Sequence, residues 1–240
     1  MKKIIRLLLK FLLGSFGYEN FVFKKNKIQD NIVIDRNIWQ PFFKKNNKVK
    51  LYLEALKAAK MDDDTNIHRE LRFYSLQNCL KHIEKQDVQG DYVECGVWKG
   101  QSAFIIATHM KKRNYEKIFH IFDSFEGGLS QKADEDENLR EVLSPERIKE
   151  EKLVFSSSVE EVKRNLSTFD FIKLYEGWIP DRFNEVKDKH FCFVHVDVDL
   201  YEPTLESLKF FYPRLSDNGI IVCDDYNLSQ FPGAKKAFDE

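Results

Sequence analysis

The sequence predicts an α/β fold, a mostly parallel sheet with helices on both faces, and three observations predict it. Five short apolar, β-branched or aromatic runs read as strands: "DYVECG", "KIFHIFDS", "FIKLYEG", "FCFVHVDVD" and "GIIVCDD". Stretches of helical pattern or length separate them, among them "SAFIIATHMKKR", "SVEEVKRNL" and "TLESLKFFYPRL". Such alternation requires crossovers, which make neighbouring strands parallel and clothe both faces of the sheet. The strand ends, third, carry Gly, Asp or Glu, residue types that suit the ligand-bearing carboxyl edge of an open parallel sheet.

Composition is consistent with this. The 240 residues are 42% hydrophobic and 14% aromatic, enough for a large core. With 38 basic and 39 acidic side chains the chain has no general attraction to nucleic acid. Cys79, Cys95, Cys192 and Cys223 show no paired spacing, and three of them lie in strand-like runs. They read as small core residues in a reducing compartment, hence a cytoplasmic protein, and not as a zinc site or disulfide framework.

In order along the chain, residues 1–23 open with "MKKIIRLLLKFLLGSFG". At about 100° per residue, Lys2, Lys3, Arg6 and Lys10 share one side of a helix, and Ile4, Leu7, Leu8, Phe11 and Leu12 another. Lys10 leaves the apolar run too short to span a membrane, and no signal-peptide cleavage site follows. A basic amphipathic helix of this kind suits either peripheral contact with an anionic membrane through residues 1–13 or packing on protein. Residues 24–65 are polar and mixed, with "KKNKIQDN" and "KKNNK" as solvated loops around short ordered pieces. A domain spanning 66–240 then begins with the helical "LRFYSLQNCLKHIEKQ", stopped by "VQGD". Its long interruption at 126–152 carries the acidic run Asp134 to Glu137, read as a solvated loop. Its place after the second strand also suits a lid.

The strand tips hold the chemistry. The first ends "VECGVWKGQS", with Glu94, then Gly96 and Gly100 opening a helix, so that backbone can approach an anionic ligand. The second ends in Asp123, where an acid of a nucleotide-binding unit takes ribose hydroxyls. The fourth supplies Asp197 and Asp199, which strand alternation would place on one face, and the fifth supplies Asp224 and Asp225. If those two strands are neighbours, four carboxylates converge, and a hard divalent cation would resolve their repulsion. His195 reads as a core histidine with a satisfied hydrogen bond. No "GxSxG" elbow supports a hydrolase.

Taken together, "GDYVECGVWKGQSA", "FDSFEGG", "SVEEVKRNL", "YEGWIPDRF", "VHVDVDLYEPTLESLKFFYPRLSDNGIIVCDDY" and "FPGAKKAFDE" resemble the macrocin O-methyltransferase family over roughly residues 66–240. The resemblance implies a Rossmann-like class I methyltransferase fold, S-adenosylmethionine as donor, and Mg2+ or another hard divalent cation positioning a hydroxyl of a sugar-containing acceptor. By position, Asp197, Asp224 and Asp225 would be metal ligands and Asp199 the general base. Glu94, Gly96 and Ser102 would border the methionine part of the donor, Asp123 its ribose with Ser124 beside it, and Gly177 and Trp178 its adenine side. A homodimer is implied by resemblance alone. Family members continue past "GAKKAFDE" through the rest of a helix and two further strands. The expectation is therefore a sheet with its C-terminal strands missing and an unpaired fifth strand. Two rivals remain in view: a nucleotide-sugar glycosyltransferase using "DVD", and a non-catalytic donor-binding domain held at a membrane.

Overall fold

The structure is a computed structural model that describes residues 47–62, 67–112, 116–127, 133–136, 154–226 and 231–240. The amphipathic segment 1–23 and most of the interruption at 126–152 lie outside the described residues. Among the described residues, no helix is long and apolar enough to cross a membrane.

All five expected strands form: β1 (Asp91–Cys95), β2 (Phe119–Asp123), β3 (Ile172–Glu176), β4 (Phe191–Val196) and β5 (Leu215–Cys223). They make one wholly parallel sheet in the order β3-β2-β1-β4-β5. The helices are α1 (Asn47–Ala58), α2 (Ile67–Lys85), α3 (Gln101–Lys112), α4 (Val159–Asn165), α5 (Tyr201–Phe211) and α6 (Pro232–Asp239). Helix α1 arises inside the polar stretch because Leu51, Tyr52, Ala55, Leu56 and Ala59 fall on one stripe, which is buried against α2 and α3.

Period-two alternation splits the core into two layers. Tyr92, Phe119, Ile121 and Phe193 pack with α1, α2 and α3 on one face. Val93, Phe122, Tyr175, Val194 and Phe211 pack on the other. Cys95 and Cys192 are fully buried, Cys79 and Cys223 half-buried, and all four are free thiols, as their spacing implied.

A polar cluster joins the amino end of β1 to side chains of β2 and β3. His120 bridges the Tyr175 hydroxyl (2.8 Å) and Asp91 Oδ2 (3.1 Å), and Asp91 Oδ1 accepts the Ile118 N–H at 3.1 Å. Burial pushes the Asp91 carboxyl up, but the hydrogen bonds from His120 and Ile118 outweigh it and hold the group below its ordinary value. A carboxylate lowered in the folded state adds stability above its unfolded pKa, and that stability is lost as pH falls through the folded value. Asp91→Asn is therefore expected to lower unfolding free energy by about 1–3 kcal/mol at pH 7. The difference from wild type should shrink in urea titrations repeated below about pH 4.

Candidate active site

Two backbone hydrogen bonds place the carboxylates. Asp197 N–H donates to Cys95 O and Asp224 N–H to Val196 O, each at 2.9 Å. The β1, β4 and β5 tips thus stay in register one residue beyond the ladder, and Asp197 and Asp224 become neighbours. Strand β4 ends at Val196, so alternation does not govern Asp199. That residue sits on the turn into α5 with φ +59°, a left-handed conformation that Asp tolerates better than most residues. Its N–H donates to Asp225 Oδ2 at 2.9 Å. The four acids converge as expected, with Asp225 buried beneath the Asp199 turn.

His195, Asp197 and Asp224 each offer a ligand atom, all within 4.8 Å of one another. His195 does have the expected core hydrogen bond, from Nδ1 to Glu94 Oε1 at 2.7 Å, but its Nε2 also lies 3.6 Å from Asp224 Oδ1. Glu94 and His195 are register partners on β1 and β4. Glu94 is fully buried, and its Oε2 has no hydrogen-bond partner. In this structure, then, the carboxylate expected to border the donor points at the histidine. Arg72 of α2 reaches Asp224 Oδ2 at 2.6 Å. Neither Arg72 nor the Glu94–His195 pair was anticipated as part of the site.

The electrostatics are those of an under-neutralised cluster. Burial, then Asp224, raises the Asp197 carboxyl well above its ordinary value. Burial, then Asp197, Asp199 and Asp224, pushes Asp225 up to about 10. Asp199 is pushed up to about 6 by burial and Asp224, against hydrogen bonding with Asp225 and the charge of Arg72. Burial also works against the Asp224 anion, but His195 and Arg72 win and hold that group low. The Arg72 guanidinium is disfavoured by burial, yet Asp197, Asp224, Asp225 and Asp199 together raise it further. One arginine and one histidine do not neutralise four buried or half-buried carboxyls, so the site retains protons or takes a further cation.

On the other side of β1, the donor-type features assemble. Gly96 has φ +81°, and a Cβ there would lie 1.9 Å from the Asp197 carbonyl oxygen. Asp123 Oδ2 accepts N–H groups of Val97 (2.7 Å) and Trp98 (3.3 Å), and Oδ1 accepts that of Phe125 at 2.8 Å. The second strand's acid therefore pins the turn after the first. Gly177 donates to Asp123 O at 3.0 Å, and Trp178 Nε1 reaches Glu126 Oε2 at 3.1 Å. Ser124 Oγ accepts the Glu126 N–H at 3.4 Å. Gly96, Asp123, Ser124, Gly177 and Trp178 are thus gathered at one edge, and Ser102 is buried in the first turn of α3.

The family model described as Macrocin-O-methyltransferase (TylF) matches residues 4–240. Among characterised proteins, the chain is 27% identical over 197 residues to demethyldecarbamoylnovobiocin O-methyltransferase of Streptomyces niveus, covering 79% of this chain and 73% of that protein. It is 30% identical over 160 residues to 8-demethyl-8-(2,3-dimethoxy-alpha-L-rhamnosyl)-tetracenomycin-C 4'-O-methyltransferase of Streptomyces olivaceus. That match covers 65% of this chain and 60% of the relative. The fold matches the O-methyltransferase NovP (TM-score 0.57, 23% identity, 86% of this chain and 90% of that one). It also matches the calicheamicin methyltransferase CalS11 (TM-score 0.55, 17% identity, 91% and 90%).

Proposed function

The chain belongs to the macrocin O-methyltransferase family and is an S-adenosylmethionine-dependent O-methyltransferase, and from that premise we propose that it methylates a sugar hydroxyl of a glycosylated compound with the help of Mg2+. The observation that carries the metal is the convergence of four carboxyls, Asp225 buried and Asp197, Asp199 and Asp224 half-buried, with too little positive charge. The donor set fits a hard divalent ion: Asp197 and Asp224 present oxygens within 4.8 Å of each other, and Asp225 lies alongside on the same strand tip. Support for a sugar acceptor comes from the relative that methylates a rhamnosyl unit of a tetracenomycin and from a third relative, mycinamicin III 3''-O-methyltransferase of Micromonospora griseorubida.

In this reading Asp197, Asp224 and Asp225 hold the ion, with Arg72 and His195 buttressing Asp224. An ion held there would supply the polarisation that lowers the pKa of an acceptor hydroxyl. Asp199 takes the hydroxyl proton on its carboxylate as the oxygen forms a bond to the donor methyl carbon. The carbon–sulfur bond breaks, and S-adenosylhomocysteine leaves. Gly96 lets the donor's methionine part approach β1, Asp123 faces its ribose beside Ser124, and Gly177 and Trp178 border its adenine. Glu94 serves this arrangement from beneath, through His195.

Isothermal titration of S-adenosylhomocysteine tests the donor half, with magnesium and again with excess chelator. Binding in both conditions is expected, while transfer of labelled methyl to rhamnosylated acceptors should stop in chelator. A folded chain that binds no S-adenosylhomocysteine would remove the proposal, and transfer that ignores chelator would remove its metal.

A further inference from the structure

The acidic run read as a solvated loop is not one where it is described. Asp134–Asp136 forms a single 3-10 turn, and Asp136 is buried. Its Oδ1 accepts the N–H of Tyr201 at 2.7 Å, and its Oδ2 accepts that of Ala133 at 3.0 Å. Tyr201 is the first residue of α5 and stands two residues after Asp199. The residue in the capping position, Leu200, has no side-chain oxygen to offer. A helix start leaves backbone N–H groups without partners, and a carboxylate there also meets the favourable end of the helix dipole. Here that carboxylate comes from another part of the chain.

The turn is held from the far side as well. Gly233 of α6 packs so close that a Cβ would lie 2.0 Å from Asp136 Oδ1 and 2.8 Å from Tyr201 Cβ. Lys236 pairs with Glu135 at 3.2 Å, and the Tyr201 hydroxyl donates to Glu240 at 2.7 Å. The segment between β4 and α5 is therefore fixed at three points: Asp197 N–H on Cys95 O, Asp199 N–H on Asp225, and Tyr201 N–H on Asp136. The first two anchors belong to the sheet and its tips. The third ties the interruption after β2 to the turn that carries Asp199.

We propose that Asp136 is a positioning residue for methyl transfer, acting by capping α5 from a distance and so fixing the Asp199 turn. This rests on the reading of Asp199 as the general base. The test is hydrogen exchange at the Asp199 and Tyr201 amides of the full chain with S-adenosylhomocysteine bound, in wild type, Asp136→Ala and Asp136→Asn. Asp136→Ala is expected to speed exchange at these two amides roughly tenfold, in line with the loss of a helix cap, while β1 amides keep their rates. Asp136→Asn retains an oxygen for Tyr201 N–H, though not a second acceptor for Ala133 N–H, and should restore part of the protection. Unchanged exchange in Asp136→Ala overturns the proposal, as does a uniform rise across the sheet or an asparagine variant that behaves like alanine. Because Asp199→Asn leaves the Asp136 contact intact, continued methyl transfer by that variant would remove the base assignment without touching the exchange result.

Discussion

Asp199→Asn is expected to reduce methyl transfer by about 10²- to 10⁴-fold, the usual contribution of a positioned general base. The amide keeps the size of the carboxylate but cannot accept a proton, and the N–H that holds the turn to Asp225 belongs to the backbone and survives the change. Titrations of S-adenosylhomocysteine and of Mg2+ or Mn2+ should therefore stay close to wild type while turnover collapses. Loss of metal binding instead would move Asp199 into the ligand shell. The carboxyl is pushed up to about 6 with no metal beside it, and a neighbouring cation favours the carboxylate. The ascending limb of the wild-type pH–rate profile should accordingly lie at about 6 or lower.

Gly96→Ala should have the largest effect on the folded state. The added carbon would meet the Asp197 carbonyl oxygen at 1.9 Å and its carbon at 2.8 Å, both backbone atoms that cannot swing away. A φ of +81° adds the left-handed penalty of about 1–2 kcal/mol, and overpacking adds about 1–3 kcal/mol. Urea unfolding should report a loss of about 3 kcal/mol or more. Donor and metal binding should weaken together, because the displaced carbonyl belongs to a proposed metal ligand. Gly100→Ala is the control: φ is +89°, but the new carbon meets only Leu166 side-chain atoms at 3.5–3.6 Å. Its loss should be confined to the conformational penalty.

The five strands and their parallel direction were legible because each strand and helix of the core carries its own local pattern, whereas the strand order was not. Convergence of Asp197, Asp199, Asp224 and Asp225 followed once β4 and β5 were neighbours, and the structure makes them so. Helix α1 was harder to see: its apolar stripe is short and flanked by lysines and asparagines. The contacts that escaped are those made by one side chain to a partner far along the chain. Arg72 reads as a surface arginine until α2 lies across the β5 tip, and Asp136 reads as one more charge in an acidic run until α5 is found above it. His195 was placed correctly in the core, but its second nitrogen faces Asp224 because β5, which Asp224 follows, runs beside β4, a pairing no local pattern encodes.

Asp91 and the carboxylate cluster lie at opposite rims of the sheet, Asp91 opening β1 and the acids following the last residues of β4 and β5. Strands of this length hold such rims about 15 Å apart, beyond the range over which substitutions ordinarily interact. Robustness and specificity can therefore be engineered separately in this scaffold. Changes that stiffen the amino-terminal rim should simply add to changes in the loops of the opposite rim, which leaves the carboxyl edge free to be diversified in a search for new acceptors.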